Sequence, residues 1–132
     1  MIEPPNETCL AATMSRSVTQ FCIQIHPHRS PELDLAGLRL QCERIATDNA
    51  LVQRFSWQKR FEDGEYVNLI FETDYPKRLW KLLHQQLYQA SAFGRFVQTS
   101  SIATCEGRHG WEDYLLLHHF DADERCDGFP EE

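Results

Sequence analysis

No paired cysteine framework, no long apolar run and no cofactor-binding signature occurs in this 132-residue chain. The five cysteines, Cys9, Cys22, Cys42, Cys105 and Cys126, are odd in number and show neither C-x-x-C nor regular spacing. At least three fall in segments with strand or helix periodicity, which fits free thiols in a reducing cytoplasm better than a secreted disulfide scaffold. The longest strongly apolar stretch is Tyr114–Leu117, far too short to cross a bilayer. The opening Met-Ile-Glu-Pro-Pro-Asn-Glu has neither a basic region nor an apolar run, so no secretory signal is expected. Glycine-rich phosphate loops, G-x-S-x-G, H-E-x-x-H, EF-hand and Walker patterns are all missing, and Gly107-x-x-Gly110 reads only as a turn. No cofactor is therefore expected.

The chain also lacks positive charge in excess. Its net charge of −7 sits at the ends: Asp121, Asp123, Glu124, Asp127, Glu131 and Glu132 oppose only Arg125, and Glu3 and Glu7 add to the other end. Residues 14–120 are formally neutral. A phosphate-binding surface must offer net positive charge, so neither nucleic acid nor an anionic membrane is an expected partner.

What is present is an ordered change of hydrophobic period. Residues 1–16 show none and read as a flexible arm, with Met14 as a second conceivable start; 17–120 read as one α+β domain, and 121–132 as a disordered acidic tail. Thr19, Phe21, Ile23 and Ile25 alternate with Gln20, Cys22 and Gln24, which predicts a strand with one buried side. Ser30 as N-cap, Pro31 at the first helical position, and Leu35, Leu38, Cys42 and Ile45 at helical spacing predict a helix over about 31–48. Phe55, Trp57 and Phe61 and then Val67, Leu69 and Phe71 alternate around Glu62-Asp63-Gly64-Glu65, predicting a hairpin whose buried side includes Phe61. Asp74 is placed to cap a second helix entered through Pro76, with a stripe of Leu79, Leu83, Leu87 and Ala90 that stops at Gly94. Ser100–Cys105 and Trp111–Phe120 then read as strands around a turn at Glu106–Gly110, the last strand apolar on both sides.

This β-α-β-β-α-β order with one extra strand assembles most simply as a ferredoxin-like split βαβ sandwich, with two helices on one face of an antiparallel sheet. The other face would carry Gln20, Gln24, Gln58, Asn68 and Ile70, joined by Tyr114 and Leu116 if the last strand shows that side. An uncharged sheet surface is unusual against water, and pairing two such sheets is one remedy.

Candidate chemistry is sparse. His26 and His28 end the first strand and His118 and His119 the last; if those strands are antiparallel neighbours, their ends lie at opposite edges and no four-histidine metal site forms. Cys105 and His109 flank a turn beside Arg108, but Glu106, Glu112 and Asp113 oppose the positive field a nucleophilic thiol needs. Trp57, Lys59, Arg60, Phe61 and Tyr66 mix aromatic and basic side chains, yet the third strand lacks the basic-Gly-aromatic pattern of single-strand RNA binders. The expected function is thus a small cytoplasmic, non-catalytic interaction or regulatory module, self-associating or covering a protein partner, including an inhibitor of a basic protein. The alternative is a small pocket enzyme using His26, His28, His119, Cys105 or His109.

Overall fold

The structure, a computed structural model, describes residues 18–48, 50–62 and 64–129. The expected N-terminal arm, with Met14, lies outside these residues.

The class is α+β: five strands form a single antiparallel sheet with three α-helices. In chain order they are β1 (Thr19–Ile25), α1 (Leu35–Asp48), β2 (Arg54–Arg60), β3 (Tyr66–Thr73), α2 (Pro76–Leu87), α3 (Ala92–Ser100), β4 (Ser101–Gly107) and β5 (Gly110–His118). The sheet runs β2-β3-β1-β4-β5, so β1 is the middle strand and β2 and β5 are the edges.

Alternation along the strands assigns the two sides. Phe21 pairs with Phe71, which pairs with Phe55, and Ile23 pairs with Leu69, which pairs with Trp57. Both helices address this side: Trp80 of α2 stacks on Phe21 at 5.6 Å, and the Arg39 guanidinium of α1 lies 5.5 Å from the Trp57 ring. Leu38, Cys42 and Ile45 of α1 and Leu79, Leu83 and Leu87 of α2 complete the core. Each leucine so buried contributes roughly 1.5–3 kcal/mol before entropy is subtracted. This packing, rather than helix propensity, holds the helices on the sheet.

The helix starts differ from the expected ones. Helix α1 begins at Leu35, not near Pro31, and it is Asp34 whose Oδ1 accepts the Gly37 N–H at 3.0 Å. Ser30 closes a 3-10 turn over Pro27–Arg29 instead, and its hydroxyl is drawn to α3, donating to the Phe96 carbonyl at 3.0 Å and meeting Thr99 Oγ1 at 2.7 Å. Asp74 does not cap α2; its carboxylate accepts from Gln53, while Thr73 Oγ1 accepts the Tyr75 N–H at 2.8 Å.

Gly94 is not a stop. Helix α2 ends at Leu87 and a third helix follows, capped by Ser91, whose side chain accepts the Gly94 N–H. Gly94 is buried inside that helix, and a β-carbon there would sit 1.8 Å from the Gln89 carbonyl oxygen. Its lack of a side chain lets α3 fold back against the end of α2. Phe61 also departs from expectation: it lies beyond the end of β2 and is 69% exposed, so it does not face the helices.

The last strand, apolar on both sides, is an edge of the sheet. Thr104 pairs with Leu116 but Ala103 pairs with His118, so Leu117 is an extra residue and β5 bulges there. The bulge turns His118 to the helix side, where its Nε2 donates to the Gln98 carbonyl at 2.8 Å and its ring meets Tyr88 at 4.8 Å. Part of the acidic segment lies against this strand. Asp127 exchanges two hydrogen bonds with Leu116, and Phe129 packs against the core.

Candidate functional site

The side of the sheet away from α1 and α2 carries a surface with little charge. Its middle row runs Ser56, Ile70, Cys22, Thr104 and Leu116 across all five strands, and the next row runs Gln58, Asn68, Gln24 and Ile102 across four. All nine are only partly exposed. The sequence placed Gln20, Gln24, Gln58, Asn68, Ile70, Tyr114 and Leu116 here, and the register puts the five on β1, β2 and β3 on that side together. Tyr114 and Leu116 line a pocket of ≈ 350 Å³ with Cys22, Gln24, Ile102, Thr104, His119 and Glu124, so β5 shows this side as well.

The polar groups of this face bond along the sheet. Gln24 Nε2 donates to Asn68 Oδ1 at 3.3 Å, and Gln24 Oε1 meets His26 Nε2 at 2.7 Å. Arg60 donates to Gln58 Oε1 at 2.9 Å and Gln58 donates to Ser56 Oγ at 3.4 Å. Polar side chains engaged this way leave few bonds to water that burial would break. Charged side chains sit at the borders, with Arg54 and Arg60 on β2 and Glu72 on β3.

Two aromatic residues stand at the other border. Trp111 is 40% exposed and donates from Nε1 to Gln20 Oε1 at 3.3 Å, which brings it over the open face; Tyr114 is 52% exposed. Sequence reasoning missed Trp111, Ile102, Thr104 and Glu124 as members of this surface. Regular alternation could not assign Trp111, because β5 slips against β4 between Cys105 and Gly107.

The histidines are arranged otherwise than expected. Strands β1 and β5 are each antiparallel to β4, which lies between them, so they run parallel and end at the same edge. His26 accordingly meets His28 at 6.0 Å, Tyr66 at 5.8 Å and Phe120 at 5.4 Å, and Phe120 in turn meets His119 at 4.6 Å. The Arg29 guanidinium covers the Phe120 ring at 3.8 Å. Burial, and then the charges of His28, Arg29 and His119, hold His26 below the usual histidine range. His119 Nδ1 accepts the Asp121 N–H at 3.0 Å, which leaves its other nitrogen to carry the proton when the ring is neutral. Among the described residues no group of three or more His, Cys, Asp or Glu is arranged to hold a metal ion.

Cys105 and His109 are not brought together. Cys105 is fully buried on the helix side opposite Phe21, and burial, with Glu106 nearby, pushes its thiol up to about 12. His109 projects from the turn and bonds Asp113 through its ring at 3.2 Å. Cys22, on the open face, is pushed up to about 11 by burial. A thiol held that far above neutrality is a poor nucleophile.

A row of rings runs behind the sheet: Trp80 meets His84 and Tyr88 at 5.4 Å each, and Tyr88 contacts His118. The Tyr88 hydroxyl is tied to Ser101 Oγ at 2.8 Å. Burial, reinforced by His119 and His84 and opposed by the hydrogen bond to Gln98, keeps His118 below its ordinary value. These contacts join α2, α3 and β5 and are structural.

Comparison with known protein families, with characterised proteins and with solved structures finds no match. No helix among the described residues is long and apolar enough to cross a membrane.

Proposed function

We propose that this protein is a small, non-catalytic binding module whose working surface is the open face of its sheet. The strand order β2-β3-β1-β4, with α1 joining β1 to β2 and α2 leading from β3 toward β4, supports reading its core as a ferredoxin-like split βαβ unit with β5 added at one edge. One observation carries the functional reading. The polar side chains of the face bond to one another, Gln24 to Asn68 across two strands and to His26, and Gln58 to Ser56 along its own strand, so covering them with another protein costs little desolvation, while Ile70, Ile102, Leu116, Trp111 and Tyr114 supply apolar area.

On the open face the enzyme alternative would work from the ≈ 350 Å³ pocket, whose titratable lining is Cys22, Tyr114, His119 and Glu124; a larger hollow of ≈ 730 Å³ lined by Asp74, Lys77, Arg78, Glu106 and Arg108 holds none of the candidate histidines or cysteines. The Cys22 thiol is poorly ionised, and the two turn residues Cys105 and His109 stand apart, which favours binding over catalysis. The described cysteines are free thiols, which supports a cytoplasmic setting.

The reading is tested by maleimide labelling of Cys22 in intact cells and in dilute purified protein, with exposed Cys126 as the reference thiol. Cys22 is expected to label more slowly relative to Cys126 in cells, and Ile70→Asp with Leu116→Asp should remove the difference without altering the circular dichroism spectrum. Equal relative rates in both settings that also match those of the Ile70→Asp, Leu116→Asp variant would rule out a covered face.

A further inference from the structure

The occupant of the open face can be identified from how charge and symmetry are laid out on it; this step rests on the reading that the face is covered at all. Strand β1 is the third of five, and Cys22 is the third of the five residues in the middle row. The charges at the two edges of the open face differ in sign. β2 shows Arg54 and Arg60 on the parity of the open face, while Glu62 and Glu65 lie in the turn beyond it, Glu65 paired with Lys59 at 3.1 Å. The β5 side carries exposed Glu112 near the Gln20 end of the sheet, beyond the turn that holds Arg108, and exposed Asp121, Asp123 and Glu124 near the His26 end, followed by Arg125.

We infer that the open face is covered by a second copy of this chain, related by a two-fold axis lying between the sheets and parallel to β1. Such an axis keeps height along the strands and exchanges left for right, so β2 of one copy faces β5 of the other. Arg54, in the row of Gln20 and Glu72, then stands opposite the partner's Glu112. Arg60, in the row of Tyr66 at the His26 end, stands opposite the partner's Asp121–Glu124 turn. An axis perpendicular to the strands would instead set β2 on β2 and β5 on β5, juxtaposing like charges, which costs several kcal/mol. The contact is isologous and closes at two copies.

The size is adequate. Five strands about 4.8 Å apart and seven residues at about 3.3 Å each span a face roughly 24 Å by 23 Å in projection, which reaches the lower range of stable interfaces once side-chain relief is added. Sheets packed this way lie about 10 Å apart, with their strands within about 30° of alignment. Cys22 is then the residue that meets its own copy across the axis.

Two measurements decide the matter. Sedimentation velocity should show a dimer for the wild-type chain. Arg54→Glu with Arg60→Glu removes the two cations of the β2 edge, and Glu112→Lys with Glu124→Lys sets a lysine opposite each of the partner's two arginines, so each double variant alone should dimerise about tenfold or more weakly. Mixed together they should form a one-to-one heterodimer, since each introduced glutamate then meets an introduced lysine. In a Cys9→Ser, Cys126→Ser background Cys22 should label with maleimide more slowly as protein concentration rises through the dimer range, and each double variant alone should lose that protection. A wild-type monomer at high concentration overturns this inference; if Cys22 is nevertheless shielded in cells, the binding-module reading stands with a different protein as occupant. A dimer that both double variants retain on their own, with Cys22 unprotected, places the contact elsewhere and also overturns the inference.

Discussion

Asp127 clasps Leu116 twice: its backbone N–H donates to the Leu116 carbonyl at 2.6 Å, and its carboxylate accepts the Leu116 N–H at 2.9 Å. The acidic segment thereby occupies part of the free edge of β5, where unpaired backbone groups would otherwise invite another strand. From there it continues to Phe129, which packs beside Leu115 on the helix side of the sheet.

The clasp has a measurable consequence. Asp127→Ala removes the side-chain acceptor and leaves the Leu116 N–H to water, a loss of about 0.5–1.5 kcal/mol. Amide hydrogen exchange should accelerate at Leu116 and spare β1, whose N–H and C=O groups pair on both sides. Unchanged exchange at Leu116 would mean that the segment does not hold the edge.

Gly94 is predicted to be intolerant of a single added carbon. A β-carbon there would collide with the backbone carbonyl of Gln89 at 1.8 Å, and a backbone atom cannot swing aside as a flexible side chain can. Gly94→Ala should lower stability by about 1–3 kcal/mol in urea melts. Gly128→Ala, with nothing within 4 Å of the new atom, serves as the neutral control. Equal midpoints for the two variants would remove the argument for close packing between α3 and the chain after α2.

Stability should fall in mild acid because of His118. Burial depresses its folded-state pKa below the unfolded value, so between the two the unfolded chain binds more protons. The associated stability is fully present above about pH 6.5, where both states are neutral, and is lost as pH drops through that value toward the folded pKa. Urea melts between pH 7.5 and 5 should show this decline. His118→Gln, which keeps a donor toward the Gln98 carbonyl and does not titrate, should flatten it; His26, depressed in the same direction, would account for any remaining slope. A wild-type slope retained in full by His118→Gln would assign the effect to other groups.

Much of the architecture could be read from residue order because burial imposes a period on each element. Phe21, Ile23 and Ile25 had to share one side of a strand, and Leu79, Leu83 and Leu87 one side of a helix, wherever the elements came to rest. The uncharged residues between them, Gln20, Gln24, Gln58, Asn68 and Ile70, were thereby sent to the opposite side together. Helix α3 was harder to see, since its nine residues follow directly on the α2 stripe and its Gly94 resembles a terminator. Ser30 and Asp74 looked like caps because capping chemistry is local, yet each found a stronger partner that is distant in sequence.

Local periodicity thus dictated which side chains are buried and which are left uncharged at the surface, because alternation and helical spacing follow from backbone geometry alone. Strand neighbours were a matter for the assembled sheet. Placing β4 between β1 and β5 made those two parallel and gathered His26, His28, His119 and Phe120 at one end, and the bulge at Leu117 aimed His118 inward. Neither outcome is written in residue spacing, since both depend on hydrogen bonds between segments that only the closed chain brings side by side.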